Sequence, residues 1–235
     1  YGGALVAGDP NLRITKVVNA DLRADYFPSP QEVVSISAFA KDFTDPLEPV
    51  LEPSSSLNFL RYRNARGAFL IGVEIEARKS LEFIDEALED FSLMGNLTLT
   101  TSRIRLDQTG ADATGVGFLT NTERAMVNQA PYVVNIALDY SGPSETNVRL
   151  LYNTTGKRIV RVGTAGLDDY YLQPQHQVDL TVSREVGGGV QIGFSAENIL
   201  NTQYLVTQGR ERRQDRATHS YRNGVVLSLS AGYSY

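Results

Sequence analysis

Four arginines in one short stretch, Arg210, Arg212, Arg213 and Arg216, are the clearest chemical signal in this chain of 235 residues. Guanidinium groups this close together can grip an anionic ligand, or the phosphates of lipopolysaccharide, through charge-assisted hydrogen bonds. Glu211 and Asp215 interleave with them, so a self-paired, solvated loop is the competing reading. Upstream, Asp168-Asp169-Tyr170-Tyr171 sets two carboxylates beside two phenols. The acids read as a solvated turn before they read as a cation site. The tyrosines read as a ligand contact or as anchors at a membrane interface. His176 and His219 lie near the loop ends of separate strand-like runs and read as structural or solvent-facing groups. No serine sits in a Gly-x-Ser-x-Gly setting, and no phosphate loop or metal-spaced Cys/His cluster occurs. The expectation is therefore no catalytic residue, no metal and no cofactor: the chain is read as no enzyme.

Charge narrows the partners. The chain carries 22 Lys+Arg against 27 Asp+Glu, a net charge of -5, so it lacks the basic excess that neutralises nucleic-acid phosphates. No run approaches the ~20 apolar residues of a membrane helix, a test that is blind to membrane strands. Cysteine is absent, as in many bacterial envelope proteins.

The elements that would position those residues alternate with period two. Counting back from the C-terminus, Tyr235, Tyr233, Ala231, Leu229 and Leu227 are apolar or aromatic, and Ser234, Gly232, Ser230 and Ser228 stand between them. That pattern makes a strand with one apolar and one wet face. Val18 to Tyr26 alternates apolar residues with Asn19, Asp21, Arg23 and Asp25. The same pattern recurs through Val34–Ala40, Phe69–Ala77, Phe91–Arg105, Tyr132–Tyr140, Val148 towards Val162, Gln177–Ser183 and Val190–Glu197. Short turns at Pro28-Ser29-Pro30, Leu81–Asp90, Gly142-Pro143 and Gly187-Gly188-Gly189 alternate with long connections, of which Asp107–Ala130 is the longest. The segment Leu81–Asp90 is short enough for one helical turn. This predicts an all-β, antiparallel up-and-down meander of about nine strands, part of a transmembrane β-barrel with its short turns at one end. Val18, Leu22, Ile71, Val73, Val134, Leu138, Leu180, Ile192, Phe194, Leu227 and Leu229 should face lipid. Arg23, Glu74, Asn135, Asp179 and Glu197 should face the lumen, where wall-to-water and wall-to-plug hydrogen bonding is their default role.

Several segments resemble one family. Glu197-Asn198-Ile199-Leu200-Asn201-Thr202-Gln203-Tyr204 resembles the N-L-x-[DN]-x-x-Y signature of TonB-dependent outer-membrane receptors. Gly8-Asp9-Pro10-Asn11-Leu12 is similar to their G-N-P-x-L, although Arg13-Ile14-Thr15 departs from what usually follows. Phe39–Pro46 and Gly72–Ala77 resemble the family in the same order. Leu227, Leu229, Tyr233 and Tyr235 resemble the C-terminal signal read by the barrel-assembly machinery. The resemblance implies TonB-energised uptake of a scarce ligand such as a ferric siderophore, in the bacterial outer membrane. It also implies a barrel of 22 strands around a plug. Residues 1–235 would then be the C-terminal part of that barrel, with the plug and earlier strands absent. Outer-membrane lipid, the assembly machinery, the TonB complex acting through missing parts, and an unnamed small-molecule ligand are the implied partners. A smaller structural or diffusion barrel and a soluble β-sheet binding protein are the alternatives.

Overall fold

The computed structural model describes residues 5–52, 59–106, 120–121, 123–163 and 166–233. In chain order the strands are β1 (Leu5–Ala7), β2 (Lys16–Tyr26), β3 (Val33–Thr44), β4 (Leu47–Glu52), β5 (Phe59–Asn64), β6 (Gly67–Ser80), β7 (Phe91–Arg105), β8 (Glu123–Arg124) and β9 (Tyr132–Gly142). They continue with β10 (Thr146–Thr155), β11 (Arg158–Arg161), β12 (Tyr170–Leu172), β13 (Gln175–Gly187), β14 (Val190–Glu197), β15 (Gln203–Gln208), β16 (Ala217–Arg222) and β17 (Val226–Tyr233). One sheet takes nine of them in the order β2-β3-β6-β7-β9-β10-β13-β14-β17, with β8 beside β7. Every pairing along that path is antiparallel. This is the all-β meander that the alternation predicts.

Register carries the alternation across the sheet. Leu22, Ala38, Val73, Leu99 and Tyr132 form one straight row over five strands. Leu138, Leu150, Leu180, Ala196 and Leu227 form another over the five strands from β9 to β17. Because side chains in one row share a face, the whole apolar set expected to face lipid lies on one side. Leu22 is 76% and Leu229 86% exposed, so among the described residues no second layer covers that side. The opposite face is a hydrogen-bonded polar lattice. Arg23 pairs with Asp25 at 2.8 Å and Glu76 at 3.2 Å, and Arg149 with Asp139 at 2.6 Å. Asn153 donates to Asn135, which donates to Asn96 at 2.7 Å. Among the described residues no helix is long and apolar enough to cross a membrane, which says nothing of membrane strands.

The short connections lie together at one end, each tied to its neighbour. Ser80 N–H donates to Glu32 (3.3 Å), Ser141 N–H to Asp90 O (2.9 Å) and Glu185 N–H to Ser144 O (3.1 Å). Between Leu81 and Asp90 stands the expected turn, a 3-10 segment over Glu86–Leu88 capped by Asp85. Gly187, Gly188 and Gly189 all have positive φ (101°, 62° and 76°), which only glycine adopts without cost.

The long connections depart from the sequence expectation. They were expected only as connections, yet β1, β5 and β4 form a three-stranded sheet and β11, β12, β15 and β16 a four-stranded one. Leu205, Val206 and Thr207 are each less than 7% exposed. A strand covered on both sides shows no period of two, which is why β15 escaped the pattern. The strand expected to run from Val148 through Val162 breaks after Thr155. There Gly156 N–H bonds Tyr132 O at 2.8 Å, and a Cβ on Gly156 would lie 2.9 Å from the Pro131 and Tyr132 side chains. Much of Asp107–Ala130, namely 107–119 and 122, lies outside the described residues, as does Tyr235.

Candidate functional site

The long connections fold over the polar face of the wall. Phe43, Ala68 and Ile104 occupy one row at the long-connection end, in phase with Glu74 and Thr98 rather than with the apolar set. Val50, Ala65, Leu106 and Val162 cover them, with Met126 and Val127 packed alongside. Val50, Ala65 and Ile104 have no exposed surface. Burying side chains such as Val50 and Ile104 contributes about 1.5–3 kcal/mol each, enough to hold the connections inward. Gln129 fastens 125–131 to β7: its amide donates to Thr100 Oγ1 at 2.7 Å and its carbonyl accepts from Ser102 Oγ at 2.8 Å.

A charge pair is sealed beside this small core. Arg124 Nη2 donates to Glu48 Oε2 at 3.0 Å, and the two side chains are 4% and 3% exposed. The nearby Val127 backbone amide also favours the Glu48 carboxylate. Burial pushes the Glu48 carboxyl above its ordinary value, with Arg124 pulling the other way. Arg124 Nη1 donates to Ala125 O at 3.1 Å, and its buried Nε has no acceptor among the described residues.

Arg124 also lines a cavity of about 520 Å³ with Lys157, Arg158, Arg210, Tyr171 and Asn121. Three acids share that wall, each already engaged. Glu123 lies 3.0 Å from Arg103, and Asp168 lies 3.7 Å from Arg216. Asp169 accepts from Gly163 N–H at 2.7 Å and from Asn121 at 3.0 Å. Glu123 and Asp168 face arginines and Asp169 is held by neutral donors, so with Arg124, Lys157, Arg158 and Arg210 on its wall the cavity suits an anion.

The four-stranded sheet separates the two tyrosines. Tyr171 pairs with Thr207 on the side of this cavity, and burial, then the Asp169 charge, raises its phenol above its ordinary value. Tyr170 lies on the other side beneath the Arg161 guanidinium, 3.5 Å from its ring centre, in a cavity of about 360 Å³ with Tyr204, His219 and Tyr221. Tyr204 and Tyr221 stack at 4.7 Å.

The four arginines do not converge. Arg210 reaches the larger cavity, where its carbonyl accepts from Lys157 Nζ at 2.6 Å. Arg212 is exposed. Arg213 is held by Asp215 at 2.8 Å with Glu211 at 3.8 Å, and Arg216 faces Asp168. The expected solvated turn holds at Asp168, whose side chain is 62% exposed, and needs correction at Asp169, which is 2% exposed and bonded inside the fold. His176 Nδ1 lies 2.8 Å from the Tyr152 hydroxyl, well apart in the fold from His219 beside Thr218. Among the described residues no group of three or more His, Cys, Asp or Glu could hold a metal. Leu227, Leu229 and Tyr233 share the apolar face of β17. Lys157, Arg158, Arg124 and Glu48 were not singled out from sequence. Lys157-Arg158 after Gly156 is a weak visible signal; the other two carry none.

Residues 1–199 match the family model described as TonB dependent receptor-like, beta-barrel. No curated protein matches the chain. Among solved structures, a G324V mutant of the ferric enterobactin receptor PfeA from Pseudomonas aeruginosa is 16% identical with a TM-score of 0.62, over 98% of this chain and 32% of that one. The copper transporter OprC is 14% identical, TM-score 0.67, over 96% and 32%. The FrpB iron transporter from Neisseria meningitidis is 12% identical, TM-score 0.62, over 98% and 32%. The likeness is one of fold, and the chain spans about a third of the length of each.

Proposed function

Because the chain belongs to the TonB-dependent receptor β-barrel family, whose members are receptors rather than enzymes and are characteristic of the bacterial outer membrane, we propose that it forms the C-terminal part of the wall of an outer-membrane importer. The apolar face meets lipid. A strand such as β2, with 11 residues, is about 37 Å long at ~3.4 Å per residue and spans the hydrocarbon when tilted. The polar lattice lines the lumen, the short turns lie on the periplasmic side, and the long connections form an extracellular rim. A plug and further strands, supplied by a longer polypeptide, complete the barrel, and TonB acts through those parts. The barrel-assembly machinery reads β17 through Leu227, Leu229 and Tyr233, together with Tyr235 that follows it in sequence.

The ligand is a small anionic chelate such as a ferric siderophore. The observation that carries this is the cavity beneath the rim, with Arg124, Lys157, Arg158 and Arg210 on its wall and its acids already engaged. Tyr171 and Arg210 are its contacts among the residues marked out by sequence. Arg212, Arg213 and Arg216 stay at the rim surface, and Tyr170 on the far side of the small sheet. A soluble sheet-binding role would require the apolar face to be covered. The test is uptake of radio-labelled ferric chelates by cells with and without the receptor gene, with TonB intact or deleted. Gene- and TonB-dependent uptake of an anionic chelate is expected; uptake independent of either would overturn the reading.

A further inference from the structure

Arg124 holds more hydrogen-bond donors than its surroundings use. A guanidinium carries five N–H groups, and here Ala125 O and Glu48 each accept one, while Nε finds nothing among the described residues. The side chain is only 4% exposed, and buried donors are ordinarily satisfied. This under-used group stands on the wall of the 520 Å³ cavity, beside the cations Lys157, Arg158 and Arg210.

We propose that Arg124 is an anion contact of the cavity and that Glu48 is its internal counter-ion, displaced in part by the anionic group of a ligand. This rests on the importer reading, which needs only a cationic cavity, and adds which cation reads the ligand and what restrains it. In the free protein Glu48 compensates the buried guanidinium. When an anion arrives at the unused donors, the Glu48 carboxylate close behind repels it and shares the same guanidinium charge, so Glu48 weakens binding and lets a captured ligand leave. Glu48 stands on β4, two residues before Val50 of the small core, against which Val127 packs. The exchange therefore also loosens the tie between β4 and β8.

The test uses the receptor purified from outer membranes in detergent, titrated with an anionic ferric tris-catecholate and, as a control, a neutral ferric tris-hydroxamate. Glu48→Gln should bind the anionic probe more tightly than the wild type. The double variant Glu48→Gln/Arg124→Gln, which leaves no lone buried charge to unfold the rim, should bind it about ten- to hundredfold more weakly than Glu48→Gln. Neutral-probe affinity should stay the same in both. A purely structural pair would instead weaken both probes in both variants. That result, or equal affinity of the two variants for the anionic probe, overturns this assignment alone. A wild type that binds neither probe overturns the importer reading and this assignment with it.

Discussion

At Glu48 the cost of burial exceeds the pull of Arg124, and the carboxyl titrates above its ordinary value of 4.5. At Glu32, in a turn at the opposite end of the wall, Lys79 stands 2.8 Å away and its hydrogen bond outweighs burial, so the carboxyl titrates below 4.5. The two respond to acid in opposite senses. Glu32 contributes stability above 4.5 that is lost as the pH falls through its depressed value. Glu48 contributes stability in acid that is lost as the pH rises through its raised value. Amide exchange, corrected for intrinsic rates, should therefore show Ser80, which donates to Glu32, losing protection on acidification while Val127, whose amide lies near Glu48, holds or gains it. Loss at both would mean that Glu48 is not governed by burial. Arg124→Met alone should loosen the rim by about 3–5 kcal/mol, since it strands a buried carboxylate. Glu48→Met/Arg124→Met should recover most of that loss, read as the urea midpoint of rim protection.

Between β14 and β15 the segment Asn198–Thr202 works as a fastener, which gives a family-like motif a physical reason. Asn198 and Asn201 have φ of 55° and 45°, a region asparagine tolerates better than other side chains. Asn198 N–H donates to Asp179 at 2.7 Å, its amide to Gly224 O at 2.6 Å, and its Oδ1 accepts from Thr202 N–H at 3.1 Å. Asn198→Ala should cost about 2–4 kcal/mol in lost bonds and backbone strain, and Asn198→Gly clearly less. Protease nicking within 198–225 would measure the difference, and equal nicking in both variants would refute the fastener. On β17, Tyr233→Ala with Tyr235→Ala should lower the yield of heat-modifiable barrel without changing the affinity of molecules that fold. Elements of this kind differed in how readily the sequence revealed them. The nine wall strands were legible because one face meets an apolar and the other a polar surroundings, which writes a period of two. β4, β5, β12, β15 and β16 were not, because rim strands are short or covered on both faces. The cavity shared that fate: Arg210 and Tyr171 were visible as a cluster, whereas Arg124 and Glu48 meet across 76 residues.

The nine-stranded sheet ends at β2 and β17, and eight successive antiparallel pairings make these two strands run in the same direction. They cannot close on one another as antiparallel neighbours, so residues 1–235 expressed alone should aggregate through these edges and bind no chelate. A monodisperse species in detergent with β2 hydrogen-bonded to β17 would disprove this. The sorting of connections by length has a further consequence for how the molecule can change. In a turn as tight as 143–145, one inserted residue slips β10 against β9 and turns Arg149 towards lipid and Leu150 towards water. At the other end, whole sheets are already inserted between wall strands without disturbing a single row. Sequence drift and loop grafting therefore meet two different tolerances: one rim can be rewritten in blocks, while the other keeps count, residue by residue, for the entire wall.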